Sequence, residues 1–310
     1  ELKEYDQISF PIFSPDSKHT VYPAKEKGKW FIVNNGAEGP RYDLIGIFKF
    51  SDDGKRFAYS VKQGEKAFMV VDNKEGPAYK TVATPIFSPD SKQIAYLAID
   101  QNEKFLMVIN GVPGTKYDDI RDLGFSPDCT KTVLTVKKGD KWRVQFNSKE
   151  GPPYDEIFLP EFSKNSKRWV YMVNDNNKWF NVIDGDAEAK YDYVTQALFS
   201  DDSQHINYMA KKGEKWRVVS DGKELKEYDG VSIPTYSPDS KHLAYVCVKD
   251  GIWKIVVDNI EGKESYSGFM KGAKIVFDTD NTFHILAIKT EMVSAEQMNM
   301  KVVRVVAVIN

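Results

Sequence analysis

"FSPDSK" occupies residues 13–18 and returns letter for letter at 87–92. Looser copies read FSDDGK at 50–55, FSPDCTK at 125–131, FSKNSK at 162–167, FSDDSQ at 199–204 and YSPDSK at 236–241. The opening aromatics Phe13, Phe50, Phe87, Phe125, Phe162, Phe199 and Tyr236 are spaced by 37, 37, 38, 37, 37 and 37 residues. An eighth, degenerate copy, FDTDNT, opens at Phe277 after a gap of 41. A period of this size means a solenoid, a propeller or an array.

One unit decides among these. "PIF" leads into the tight turn "SPDS", in which Pro presets φ at the second position and Ser and Asp suit a type I turn. "KHTVYPAK" alternates as a strand, "EKGK" is a Gly-centred loop, "WFIVNN" is a second strand, "GAEGP" a turn, and "RYDLIGI" a short strand running into the next phrase. Four short β segments per period, with no helical periodicity, describe a propeller blade and not a helical repeat. Large residues hold fixed columns: Tyr22, Tyr59, Tyr96, Tyr171, Tyr208 and Tyr245; Trp30, Phe105, Trp142, Trp179, Trp216 and Trp253; and the pairs Tyr42-Asp43, Tyr117-Asp118, Tyr154-Asp155, Tyr191-Asp192 and Tyr228-Asp229. Stacked blades need such columns to fill the gap between neighbours.

The ends carry a further expectation. The opening ELKEYDQISFPIFSPDSKH matches ELKEYDGVSIPTYSPDSKH at 224–242, so the chain starts with a fourth strand, whereas the last unit supplies three strands and no fourth. The expected fold is therefore all-β, a single eight-bladed β-propeller over 1–310, with four-stranded antiparallel blades opening near 13, 50, 87, 125, 162, 199, 236 and 277. In this reading residues 1–8 join the last blade, closing the ring and removing a free edge.

Composition narrows function. Apolar residues make up 41% of the 310, enough for a core, yet no run approaches the ~20 apolar residues of a membrane helix. Lys and Arg number 43 against 45 Asp and Glu, a net charge of -2, which argues against a nucleic-acid binder with its basic face. The two cysteines, Cys129 and Cys247, lie in separate repeats without metal-ligand spacing, so neither a disulfide nor a metal site is expected.

The turn phrase, the A-Y column and the K-W-x-V column together resemble the WD-repeat-like Pro-Asp β-propeller family, which includes the propeller domain of the periplasmic protein TolB. The resemblance covers essentially the whole chain. It implies the fold, and it spans scaffolds, binding modules and the propellers of hydrolases. No catalytic motif of that family is present to carry over. A periplasmic or extracellular location is the expectation from this resemblance and from a chain that opens at Glu1 without Met.

Chemistry is sparse. The turn aspartates (Asp16, Asp53, Asp90, Asp128, Asp202, Asp239) sit on separate blades and read as turn formers, not calcium ligands. His19, His205 and His242 share a column with Arg56, Gln93 and Arg168, as a solvated position permits. There is no G-x-S-x-G elbow, phosphate loop, H-E-x-x-H or C-x-x-C, so no catalytic residue and no cofactor are expected. Polar outliers on the strands nearest the axis are Lys49, Arg121, Asp122, Glu161, Gln196 and Lys274, candidates for a small polar ligand at the channel mouth. The long segment TEMVSAEQMNM at 290–300 carries Met292, Met298 and Met300, adaptable residues suited to docking a protein partner. The expected function is a non-catalytic scaffold for protein–protein interaction, without nucleic acid or membrane insertion. The alternatives are a solute- or glycan-binding module, or the propeller of a hydrolase whose catalytic part lies elsewhere.

Overall fold

The computed structural model describes residues 3–292 and 298–309. Their regular structure is strand and turn throughout, as the repeat predicts. The chain divides into two compact units, residues 1–153 and 154–310. Among the described residues each unit holds four antiparallel sheets: 7–38, 44–75, 81–117 and 119–150 in the first, and 156–187, 193–228, 230–261 and 268–308 in the second. We number them sheets 1 to 8 in chain order.

Sheet 3 shows the plan. Thr81–Val82 and Ile86–Phe87 both pair with Ile94–Ile99, which pairs with Phe105–Ile109, which pairs with Val112–Tyr117. The second strand, IAYLAI, buries residues on both faces because a sheet packs on each side. The core is accordingly a series of slabs. Val21, Tyr42, Phe57, Tyr59 and Val70 fill the slab between sheets 1 and 2, and Val170, Tyr191, Ile206, Tyr208 and Val219 the one between sheets 5 and 6. The tyrosine column of the second strand lies at the centre: Tyr59, Tyr96, Tyr208 and Tyr245 are among the largest fully buried side chains.

The repeated phrase closes on itself. The Ser17 amide donates to Ser14 O at 2.8 Å, completing the tight turn, and Ser17 itself takes a left-handed φ of 58°. The Ser88 hydroxyl donates to Asp90 Oδ1 at 2.6 Å and accepts the Gln93 amide at 2.9 Å, while Asp90 Oδ1 accepts the Lys92 amide at 3.1 Å. Ser and Asp thus satisfy the backbone of a turn whose serine is fully buried. This is why those letters recur.

The Tyr-Asp pair is a joint between successive sheets. Tyr42 at the end of sheet 1 hydrogen-bonds Glu75 of sheet 2. Its neighbour Asp43 accepts the Gly64 amide of the next hairpin loop at 2.7 Å and the Lys29 ammonium at 2.5 Å. Asp118, Asp192 and Asp229 repeat this bridge with Lys104 and Gly139, Lys178 and Gly213, and Lys215 and Asp250.

The two ends differ from the expectation in detail. Gln7–Ile8 pair with Lys25 and Ala24 of sheet 1, as the inner strand of their own sheet. Among the described residues sheet 8 is built from residues 268–308. The match with 224–242 already contains the reason: Gly230–Val231, which align with Gln7–Ile8, are the inner strand of sheet 7. Only the segment before them can occupy a fourth-strand position. Tyr5 and Asp6 do occupy the joint position against sheet 1, with the Tyr5 hydroxyl 3.1 Å from Glu38 Oε1 and Asp6 Oδ2 accepting the Lys27 amide at 2.8 Å. Of the segment expected as a long loop at 290–300, the described residues 290–292 and 298–300 instead prolong two strands, Thr282–Met292 and Met298–Val308, each of 11 residues.

Candidate interaction surface

Of the six polar outliers, Lys49, Arg121, Asp122 and Glu161 stand on the inner strands of their sheets, Gln196 and Lys274 lie between two short inner strands, and the structure joins two of the six. Gln196 Nε2 donates to Glu161 Oε2 at 2.8 Å and to Leu159 O at 3.2 Å, tying sheet 6 to sheet 5. Glu161 follows a break in strand register between Phe158 and Glu161, where Leu159 takes a φ of 50°. Arg121 lies over the Trp142 ring at 3.6 Å within sheet 4. Asp122 sits in the bulge of the same strand with a φ of 50°. Lys49 is exposed, opposite Ala58. Lys274 lies on the wall of a cleft of about 540 Å³ formed by sheets 6, 7 and 8.

The shared histidine and arginine column has a task that its exchangeability conceals. Arg56 lies 5.4 Å over the Phe87 ring of the next sheet and donates to Lys92 O at 2.6 Å and to Asp72 Oδ2 at 2.9 Å. Arg168 repeats this over Phe199 with Gln204 O and Asp184. The His205 ring is 5.8 Å from that of Tyr236, with Nδ1 2.8 Å from Asp221 Oδ2. Each residue caps the opening aromatic of the following sheet. A planar cation or an imidazole serves, and Gln93 instead donates to Cys129 O of the next sheet at 2.8 Å, which is why the column varies.

The last sheet departs from the others at its outer strand. In sheets 1, 2, 4, 5 and 7 the outermost strand is two residues long, as in Lys74–Glu75 and Lys149–Glu150, and in sheets 3 and 6 it runs to six residues, VPGTKY with its Pro and Gly and the charged KELKEY. Short or charged edges of this kind discourage added strands. Sheet 8 instead ends on the strand Met298–Val308. Its odd-numbered residues Val303, Val305, Ala307 and Ile309 pack on the core, while Met300, Val302, Val306 and Val308 face outward, with exposures of 55–74%. Leu286 of the neighbouring strand lies on the same exposed face, across from Arg304. Residues 293–297 and the side chains of Met292 and Met298 lie outside the described residues.

Among the described residues no group of three or more His, Cys, Asp or Glu side chains is placed to hold a metal ion. The serines and aspartates of the turn phrase are engaged in the turns, and His205, His242 and His284 stand against Asp221, Asp258 and Asp278. Ser200, for example, donates to Asp202 at 2.6 Å and accepts the His205 backbone amide at 3.0 Å.

Four-stranded antiparallel sheets repeating every 37 or so residues are the blades of the β-propeller class. No family model matches the chain, and no curated protein matches it. Solved structures similar to it include one described as the eukaryotic initiation factor, at 13% identity over 97% of this chain and 86% of that one, with a TM-score of 0.45. The β-propeller domain of the Trilobed protease from Pyrococcus furiosus matches at 15% identity over 80% of this chain and 94% of that one, TM-score 0.37. TolB from Acinetobacter baumannii matches at 12% identity over 83% and 64%, TM-score 0.31.

Proposed function

We propose that the chain is a non-catalytic β-propeller of eight blades that serves as an interaction platform for a protein partner. The observation that carries this reading is the outer strand of sheet 8. It is long and apolar on alternate outward positions, with Lys301 and Arg304 as its charged residues, whereas the outer strands of the other sheets are short, charged (KELKEY) or interrupted by Pro and Gly (VPGTKY). A strand edge of this kind takes up an extended segment of a partner by strand addition, with backbone hydrogen bonds providing affinity and alternate side chains providing choice. The partner segment is therefore extended and carries apolar residues at every second position. The engagement of the serines, histidines and aspartates in turns and joints supports a binding role over a hydrolytic one.

The test is a photo-crosslinking residue placed at Val306 in the full chain in its native source, with mass spectrometry of the adduct. An adduct formed through an extended, alternating segment, and lost in V302K/V306K at unchanged melting temperature, supports the reading. An adduct that survives V302K/V306K, or crosslinking to no protein, overturns it.

A further inference from the structure

The seam between sheets 6 and 7 is polar where the corresponding seams are apolar. The residue diagonal to the opening aromatic is Val21, Ala58, Ala95, Val133, Val170 and Ala244 in sheets 1 to 5 and 7, but Asn207 in sheet 6. Asn207 is 1% exposed. Part of its role is clear: sheet 7 alone opens on a tyrosine, and the Tyr236 hydroxyl is met by the Asn207 amide and by Ser220 Oγ at 3.1 Å. That accounts for the nitrogen end of the amide. It leaves Asn207 Oδ1 buried with no donor, which a folded chain tolerates poorly unless a donor arrives.

Asn207 lines the cleft of about 540 Å³ that also holds Lys274, a volume within the ~300–1,000 Å³ usual for small-molecule sites. The walls are apolar: Leu198, Ile233, Pro234 and Phe277, with Leu198 and Ile233 exposed. The acid on the wall, Asp201, is taken by Lys164 at 2.5 Å. Lys274 makes no ion pair among the described residues. A buried acceptor lacking a donor, a cation lacking an anion and an apolar wall thus converge on one space.

We propose that this cleft binds an apolar carboxylate carrying an amide N–H, the chemistry that a free N-acyl amino acid shares with the last residue of a peptide. The amide N–H donates to Asn207 Oδ1, the carboxylate pairs with Lys274, and the side chain rests on Leu198, Ile233 and Phe277. The proposal stands apart from the strand-edge reading, since it uses neither Met298–Val308 nor any residue of that surface.

Calorimetric titration of the full chain with five probes tests it: N-acetyl-leucine, N-acetyl-leucinamide without the carboxylate, 4-methylpentanoate without the N–H, and a pentapeptide ending in leucine as free acid and as amide. N-acetyl-leucine is expected to bind at least tenfold tighter than either truncated probe. Asn207→Val, the residue that other sheets hold there, is expected to abolish the preference over 4-methylpentanoate. Lys274→Met is expected to abolish the preference over the amide, and Tyr236→Phe to preserve both. Asn207→Ser serves in place of Asn207→Val should the latter melt more than a few degrees below the parent. A pentapeptide acid that binds tenfold tighter than N-acetyl-leucine assigns the site to peptide C-termini, and equal or weaker binding assigns it to free acyl amino acids. Binding of none of the probes, equal binding of all of them, or an Asn207 variant that discriminates like the parent overturns the proposal.

Discussion

The Tyr42 hydroxyl donates a 2.6 Å hydrogen bond to Glu75 Oε1, joining the end of one sheet to the outer strand of the next. The same pair recurs 33 residues apart at Tyr5–Glu38 (3.1 Å), Tyr117–Glu150 (2.9 Å), Tyr191–Glu224 (2.7 Å) and Tyr228–Glu261 (3.2 Å). Burial first, and then the neighbouring carboxylate, raise the Tyr42 phenol well above its usual range, so it remains a donor at any working pH. Tyr42→Phe is expected to cost about 1 kcal/mol in chemical denaturation, the usual net worth of one hydrogen bond. Tyr42→Phe combined with Glu75→Gln should cost little more than the single change, because both act on one bond. Strict additivity would show that the pair is not coupled.

Acid should loosen the turns. The Ser88 hydroxyl and the Lys92 amide hold the Asp90 carboxylate down to about 2, and Ser126 with Thr130 and Ser237 with Lys241 do the same for Asp128 and Asp239. These values lie below the ~3.9 of an unfolded aspartate, so the stability they contribute is present above about pH 4 and lost as pH falls toward 2. Melting temperature should therefore hold from neutrality to about pH 4 and drop below it. Asp90→Asn and Asp239→Asn should flatten that drop. An unchanged acid limb in the double variant would remove these turns from the account.

Truncation tests the N-terminal joint. The Tyr5 ring meets Phe31 edge-on, with centroids 5.6 Å apart and planes at 68°, and Gln7–Ile8 supply the inner strand of sheet 1. Deleting residues 1–8 should lower the melting temperature or provoke association, and Tyr5→Ala alone should cost about 1–3 kcal/mol through lost ring burial and edge contact. A truncated protein that melts like the parent and remains monomeric would show that this segment contributes nothing.

Thiol labelling reads out two seams. Cys247 is buried between sheets 6 and 7, and desolvation pushes its thiol up to about 11. Cys129 takes the place of the usual turn serine, where its Sγ accepts the Asp90 amide at 3.3 Å, and burial raises it as well. With a disulfide reagent at pH 8, Cys129 should react slowly and Cys247 only after denaturation. Cys129→Ser should leave stability within about 0.5 kcal/mol, because Ser91 and Ser240 make the same contact to Asp53 and Asp202. Rapid labelling of Cys247 in the native protein would mean that the seam opens.

Much of this architecture is legible in the letters because each element is local. The first Ser and the Asp side chain of FSPDSK close the turn with hydrogen bonds to residues no more than five positions away, so the turn can be read wherever the phrase occurs. The half-buried column of Arg56, Arg168 and His205 looked merely solvated, since its partners Phe87, Phe199 and Tyr236 stand one repeat away. Residues 290–300 looked like an appended loop, although Thr290–Met292 and Met298–Met300 continue the pairing of the two strands. Glu161 and Gln196 stood out singly as polar residues, and nothing in their spacing announced that they meet.

Period, turn chemistry and the alternation of apolar residues suffice, without coordinates, to specify four strands per repeat and the order in which they pair, because turns and neighbouring strands are set by contacts close along the chain. Which polar atoms are satisfied across a seam was settled only by tertiary packing. Asn207 next to Tyr236 with its oxygen unmet, Lys274 without an acid, and the uncovered side of Val302 and Val306 are all outcomes of faces brought together from distant positions. Hydrogen bonding and burial depend on distances of a few ångströms, which separation along the chain does not encode.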